Sequence, residues 1–209
     1  MEEYLIPASC GECEFTEKRS RFIGIVRNIE SEEEARRAID ETRKKYYDAR
    51  HTCWCYSVRA EGIIRYSDDG EPQGTAGQPM LEIFKRNHIE NFCCTVTRYF
   101  GGVLLGAGGL VRAYSHTAKL ALDSAGIACV RMWHVVETEC SYAQFERVKQ
   151  VISDFGGIIE NTDYSQSVLI TSLIPELSLT DFTDKLTDVS AGTVFSLVSS
   201  SRYMAVKIS

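Results

Sequence analysis

Beyond residue 134 the chain runs through one fixed order of elements, and few folds accept that order. Residues 135–140 read as a strand. Ser141-x-x-Gln144 then opens a helix carrying Phe145, Val148, Ile152 and Phe155 at helical spacing, and Gly156-Gly157 stops it. Residues 158–164 and 167–174 are two strands about a short turn. A helix over 179–189, ended near Gly192, and a strand over 193–198 complete the set. Strand, helix, strand, strand, helix and strand within about 75 residues predict the ferredoxin-like arrangement.

That leaves a longer N-terminal part of a 209-residue chain, and two domains suit this length because domains cluster near roughly 100–150 residues. The expected boundary gives domains 1–132 and 133–209, with no flexible linker between strands at 127–133 and 135–140. In the first part, 22–26 reads as a buried strand after a polar opening. Ser31-Glu32-Glu33-Glu34 is a capping box, and Arg43-Lys44-Lys45 suit the far end of its helix. Residues 52–58 alternate as a strand with Trp54, Tyr56 and Val58 on one face and His51, Cys53, Cys55 and Ser57 on the other. Residues 63–66 pair with it. A helix over 79–88 starts at Pro79, 92–97 is an apolar strand, and 110–125 is a helix ended by Gly126. The fold class expected is α+β throughout.

Charge limits the function. The net charge is −6, which weakens any reading as a bulk polyanion binder. Residues 1–128 hold 17 Lys+Arg against 19 Asp+Glu, and 129–209 hold 6 against 10, so a basic patch must be local and N-terminal. No apolar run approaches the roughly 20 residues a membrane helix needs. The opening Met1–Pro7 lacks a signal peptide's basic start and apolar stretch, so the expected location is the cytoplasm, with no membrane partner. Eight cysteines in a reducing compartment are expected as free thiols; Cys10-x-x-Cys13 has no second pair to complete a zinc ribbon.

Two loop systems carry the chemistry. Ser67–Pro79 packs three glycines, two prolines and three acids into 13 residues. As a binding loop it presents Asp68, Asp69, Glu71, Gly74 and Thr75, the acids being of the type that holds a hard cation; as a plain connection it is held by Asx turns. The second system is Arg98-Tyr99-Phe100-Gly101-Gly102 with Gly106, Gly108, Gly109 and Arg112 before the long helix. A helix N-terminus offers unpaired N–H groups and about half a positive charge, glycine lets an anion come close, and Arg98 at a strand end and Arg112 in the first helical turn are placed to add charge-assisted bonds to phosphate. The spacing is neither a Walker loop nor a dinucleotide fingerprint. Arg50 and His51 lie at the head of a strand; His51 with Cys53 lacks the third group of a triad, and no catalytic constellation or resident cofactor is expected.

Taken together, Lys18-Arg19-Ser20-Arg21-Phe22-Ile23, Asp48-Ala49-Arg50-His51, Ser67-Asp68-Asp69-Gly70-Glu71-Pro72, Gly74-Thr75-Ala76-Gly77 and Arg98-Tyr99-Phe100-Gly101-Gly102 resemble the IMPACT family. So does Leu105-Gly106-x-Gly108-Gly109-Leu110-Val111-Arg112-Ala113-Tyr114. The resemblance covers nearly the whole chain and points to the bacterial, YigZ/YvyE-type two-domain branch. It implies an N-terminal domain like the second domain of a small-subunit ribosomal protein, also seen in domain IV of elongation factor G, and a ferredoxin-like C-terminal domain. Eukaryotic relatives regulate translation by opposing activation of a kinase that phosphorylates an initiation factor. They do so with an extra N-terminal domain not expected here, so that partner does not transfer.

Three functions compete on these residues. The first is a translation-associated protein contacting RNA or the ribosome, with a translation factor as a further partner, and with Tyr99 and Phe100 stacking an exposed base. The second is an enzyme acting on a phosphorylated small molecule, with Asp68, Asp69 and Glu71 around Mg²⁺. The third is a protein-interaction module built on Tyr99, Phe100, Val103, Leu104 and Leu105.

Overall fold

A computed structural model describes residues 3–208. The elements in chain order are β1 (Tyr4–Pro7), β2 (Gly11–Glu17), β3 (Ser20–Asn28), α1 (Glu32–Lys45), β4 (His51–Val58), β5 (Ile63–Ser67), α2 (Gly77–Arg86) and β6 (Phe92–Tyr99). Then follow α3 (Gly106–Ala125), β7 (Ile127–Cys140), α4 (Phe145–Asp154), β8 (Ile158–Tyr164), β9 (Val168–Pro175), α5 (Leu179–Ser190) and β10 (Phe195–Lys207). They form two compact units, one of Tyr4–Cys129 with residues 205–208 and one of Glu3 with Val130–Met204, and the protein is α+β.

The N-terminal unit is built on a five-stranded sheet in the order β2-β3-β6-β4-β5, antiparallel at every step. Alternation along the strands divides its side chains between two faces. One face sends Phe22, Val26, Cys53, Cys55, Cys94 and Val96 against Met80, Leu81 and Phe84 of α2 and Leu110, Tyr114, Ala118 and Leu122 of α3. The other packs Tyr56, Val58 and Cys93 against Ala35, Ala38 and Ile39 of α1. The α1 start follows from its sequence. The Ser31 hydroxyl accepts from the Glu34 N–H at 3.2 Å, and the Glu34 carboxylate accepts from the Glu30 N–H at 2.8 Å.

Several expectations change: α2 starts at Gly77, so Pro79 is its third residue, and the strand expected over 193–198 is β10 at Phe195–Lys207. The polar opening contains β2, whose Cys13 and Phe15 turn inward while Glu12 and Glu14 face solvent. A Cβ at Gly11 would stand 2.2 Å from the Ala121 carbonyl oxygen, so only glycine lets α3 come this near to β2. The strands expected at 127–133 and 135–140 are one strand, β7. The long helix begins at Gly106 rather than 110, so the glycines form its first turn instead of preceding it.

The C-terminal unit has β10 beside β7, β7 beside β9, and β9 beside β8. Numbered within the unit this is 4-1-3-2, the ferredoxin-like order that the element sequence predicts. Val148, Val151 and Ile152 of α4 and Phe182 and Leu186 of α5 cover Val136, Cys140, Val168, Ile170 and Ile174.

Candidate functional site

Strand register brings the distant motifs to one end of the N-terminal sheet. Arg98 stands opposite Phe22 on one side and His51 on the other, and Glu17 faces Ser20 across the β2–β3 turn. That turn is Lys18-Arg19, with both residues at positive φ (44° and 68°). A two-residue turn of this hand suits the sheet twist but favours Asn and Gly. Two cationic side chains are held there instead.

Behind the turn lies a buried polar network. Arg98 Nη1 donates to both Glu71 oxygens, at 2.7 and 3.1 Å, and the two side chains are only 8% and 4% exposed. The Tyr114 hydroxyl donates to Glu71 Oε1 at 2.8 Å. Ser20 Oγ lies 3.5 Å from Arg98 Nη2 and accepts the Gly101 N–H at 3.1 Å. The guanidinium also lies over the Phe22 and Phe100 rings. The expectation of Arg98 as a surface phosphate ligand is therefore corrected. Its charge is committed to Glu71, and it ties the 67–79 loop to the sheet.

The other acids of that loop are committed too. Asp68 accepts from the N–H groups of Gly74 (2.8 Å), Ala76 (3.0 Å) and Gly77 (2.9 Å). Ala76 has no side chain to cap α2, so Asp68 supplies the anion at that helix start from eight residues upstream. Asp69 takes Arg43 Nη2 at 2.6 Å and the Thr52 N–H at 2.7 Å. The Thr75 hydroxyl donates to the Pro72 carbonyl at 2.6 Å. With Asp68, Asp69 and Glu71 each engaged by different protein donors, the three do not form one cation site. No metal-holding cluster occurs among the described residues. The second reading, which places Mg²⁺ on these acids, loses its ligands.

His51 Nδ1 is 2.8 Å from the Asp69 carbonyl oxygen, which can only accept, so Nδ1 carries the proton and His51 braces the Asp69-Gly70 turn. Tyr99 donates to Asp48 at 2.7 Å beneath the Arg21 guanidinium. Phe100, Val103 and Leu104 are exposed. Arg50 and Gly102 lie on the surface nearby.

What remains open is a groove of about 550 Å³ between the hairpin tip and the start of α3. Phe15, Lys18, Leu105, Gly109, Arg112 and His116 line it, with Phe15 edge-on to His116 at 4.7 Å. Arg112 is exposed and, among the described residues, has no ion pair. The first turn of α3 has no side-chain cap and no acid. The place of Lys18 in the groove depends on the hairpin register, which no local sequence signal marks.

The buried and half-buried thiols of the N-terminal sheet pack as part of its structure. Burial pushes the Cys13 thiol up to about 11, and its Sγ donates to the Thr117 carbonyl at 3.3 Å. Burial also raises Cys53, Cys55 and Cys93, and Cys53 donates to the Asp68 carbonyl at 3.0 Å. Cys10 is exposed. Brief maleimide labelling at about pH 8 should modify Cys10 at least about tenfold faster than Cys13, Cys53, Cys55, Cys93 or Cys94, as read by peptide mass spectrometry. Equal labelling would show that the N-terminal unit opens readily.

The fold and this sheet end define a two-unit α+β protein with a groove on its N-terminal unit lined by Lys18 and Arg112 together with Glu17. Residues 18–122 match the Impact N-terminal domain, and residues 138–193 match a domain of unknown function, DUF1949. The chain belongs to the IMPACT family. It is 31% identical over 193 residues to the IMPACT family member YvyE of Bacillus subtilis, covering 92% of this chain and 89% of that one. It is 34% identical over 199 residues to the IMPACT family member YigZ of Escherichia coli, covering 93% and 97%. A crystal structure described as that of a hypothetical protein overlays with a TM-score of 0.60 at 33% identity, over 96% of this chain and 98% of that one. Among the described residues no helix is long and apolar enough to cross a membrane.

Proposed function

We propose that this protein is a translation-associated or regulatory factor that contacts RNA, ribosomal RNA foremost, through the groove between the Lys18-Arg19 turn and α3. Membership of the IMPACT family supports the regulatory, translation-linked part of this reading. The observation that carries the RNA part is the pairing of Arg112, exposed and without an ion pair among the described residues, with Lys18 beside the uncapped, acid-free start of α3. Lys18, Arg112 and the positive end of α3 outnumber there the one lining carboxylate, Glu17, on a chain of net charge −6. Phosphates fit such a surface, and the apolar wall of Phe15 and Leu105 fits the sugar or base beside them.

The test is co-sedimentation with ribosomes across a salt series, wild type beside Lys18→Ala/Arg112→Ala. The wild type is expected to bind in a salt-dependent way. Removing two phosphate contacts should flatten the slope of log K against log salt by about 1.5–2. An unchanged slope sinks the assignment. Binding that survives the double variant but is lost in Leu104→Ser moves the contact to the exposed 100–104 loop and to protein.

A further inference from the structure

On the α1 side of the same sheet lies a second groove, of about 470 Å³, with Trp54 and Tyr56 as its floor. Their rings are stacked, with centroids 5.4 Å apart and planes at 16°. The Tyr56 hydroxyl donates to Glu32 at 2.7 Å, which fixes its ring; burial, then Glu32, pushes this hydroxyl up to about 12, so it stays a donor. Trp54 is half-buried, and its indole N–H has no hydrogen-bond partner among the described residues. Arg65 is exposed, donates to the Ile64 carbonyl at 3.1 Å, has no ion pair among the described residues, and lies near enough to Glu32 to help lower that carboxyl, after Tyr56 and Arg36. Asp40, also exposed and without a hydrogen bond or ion pair among the described residues, stands on the α1 wall. Arg43, on the same wall, is bound to Asp69 of the 67–79 loop.

We propose that this groove binds a nucleotide, with the base stacked on Trp54, base N–H groups donating to Asp40, and the phosphate on Arg65. The combination selects the ligand. The stacked pair offers a flat aromatic face that a third ring extends, as bases stack on aromatic side chains in single-strand readers. An acidic peptide satisfies Arg65 but is repelled by Asp40, and a plain apolar group leaves both charges without a partner. A base with an attached phosphate answers all three. This inference goes beyond the RNA reading and does not rest on Lys18 or Arg112.

Trp54 reports on the groove directly, because the only other tryptophan, Trp133, is 1% exposed. The full chain is titrated with AMP and GMP, and separately with single-stranded hexauridylate, while tryptophan emission is followed. Saturable quenching is expected, absent in Trp54→Phe. Arg65→Ala and Asp40→Ala, both surface changes, should each raise the half-quenching concentration about tenfold. Quenching by mononucleotides alone supports a free nucleotide as the ligand, and by the oligonucleotide alone a nucleotide within a strand; quenching by both supports the shared unit. Lys18→Ala/Arg112→Ala should leave mononucleotide quenching unchanged, so failure of the ribosome experiment and failure of this one read separately. No saturable quenching by either ligand overturns the proposal, as does quenching that neither Arg65→Ala nor Asp40→Ala moves.

Discussion

Arg98→Ala is expected to destabilise the N-terminal unit by about 3–5 kcal/mol, enough to leave much of it unfolded at physiological temperature. The substitution leaves the Glu71 carboxylate, 4% exposed, with the Tyr114 hydroxyl as its one remaining side-chain donor among the described residues. Breaking a buried pair by removing one partner strands a charge in a poorly polarisable interior, which costs far more than the pair contributes. The same reasoning predicts that removing all the polar partners together does less harm. The triple variant Arg98→Met/Glu71→Leu/Tyr114→Phe should lose less stability than Arg98→Ala alone. Guanidinium unfolding, followed by signals from the N-terminal unit, separates these cases. An Arg98→Ala midpoint equal to wild type would mean that the network does not hold the 67–79 loop. A triple variant weaker than the single one would mean that specific hydrogen bonds matter more than the buried charge.

How far the sequence reveals this site depends on the range of the signal. Short-range chemistry is legible: Ser31 caps α1, Gly126 follows α3, and Cys53 and Cys55 share the inward parity of β4. The parity of β6 also contains the fate of Arg98, since Cys94, Val96 and Arg98 alternate onto one face and the first two lie in the core. A cation beside glycines draws attention to surface chemistry, and only period-2 counting corrects it. Its partner Glu71 is 27 residues away and nothing local marks it. The acids of β2 conceal a half-buried strand in the same way, although Cys13 and Phe15 alternate as plainly as any hairpin. The start of α3 is missed for a different reason. Glycine lowers helix propensity along a helix interior, yet in the first turn the N–H groups lack partners anyway, so Gly106, Gly108 and Gly109 are tolerated there.

Gly101→Ala is expected to cost about 3 kcal/mol and to weaken ribosome binding without altering a single charge. A Cβ at position 101 would stand 2.0 Å from the Arg19 carbonyl carbon, 2.1 Å from its oxygen and 2.4 Å from the Ser20 nitrogen. These are backbone atoms, so no rotamer change relieves the overlap. Neither side yields easily. Lys18 and Arg19 occupy a two-residue turn at positive φ, and the Ser20 hydroxyl accepts the Gly101 N–H at 3.1 Å. Either the turn or the loop into α3 must move, and the turn carries Lys18 into the groove. Gly102→Ala is the control: its φ is 83°, but nothing lies within 4 Å of an added Cβ, so it incurs backbone strain of about 1 kcal/mol and leaves the turn in place. Denaturation midpoints and the ribosome salt series, measured on both variants, give the comparison. If Gly101→Ala binds and unfolds like Gly102→Ala, the packing of the 101 backbone on Arg19 does not set the groove. If Gly101→Ala alone loses both stability and binding, the hairpin tip and the entrance to α3 act as one rigid surface, positioned by a contact that only glycine permits.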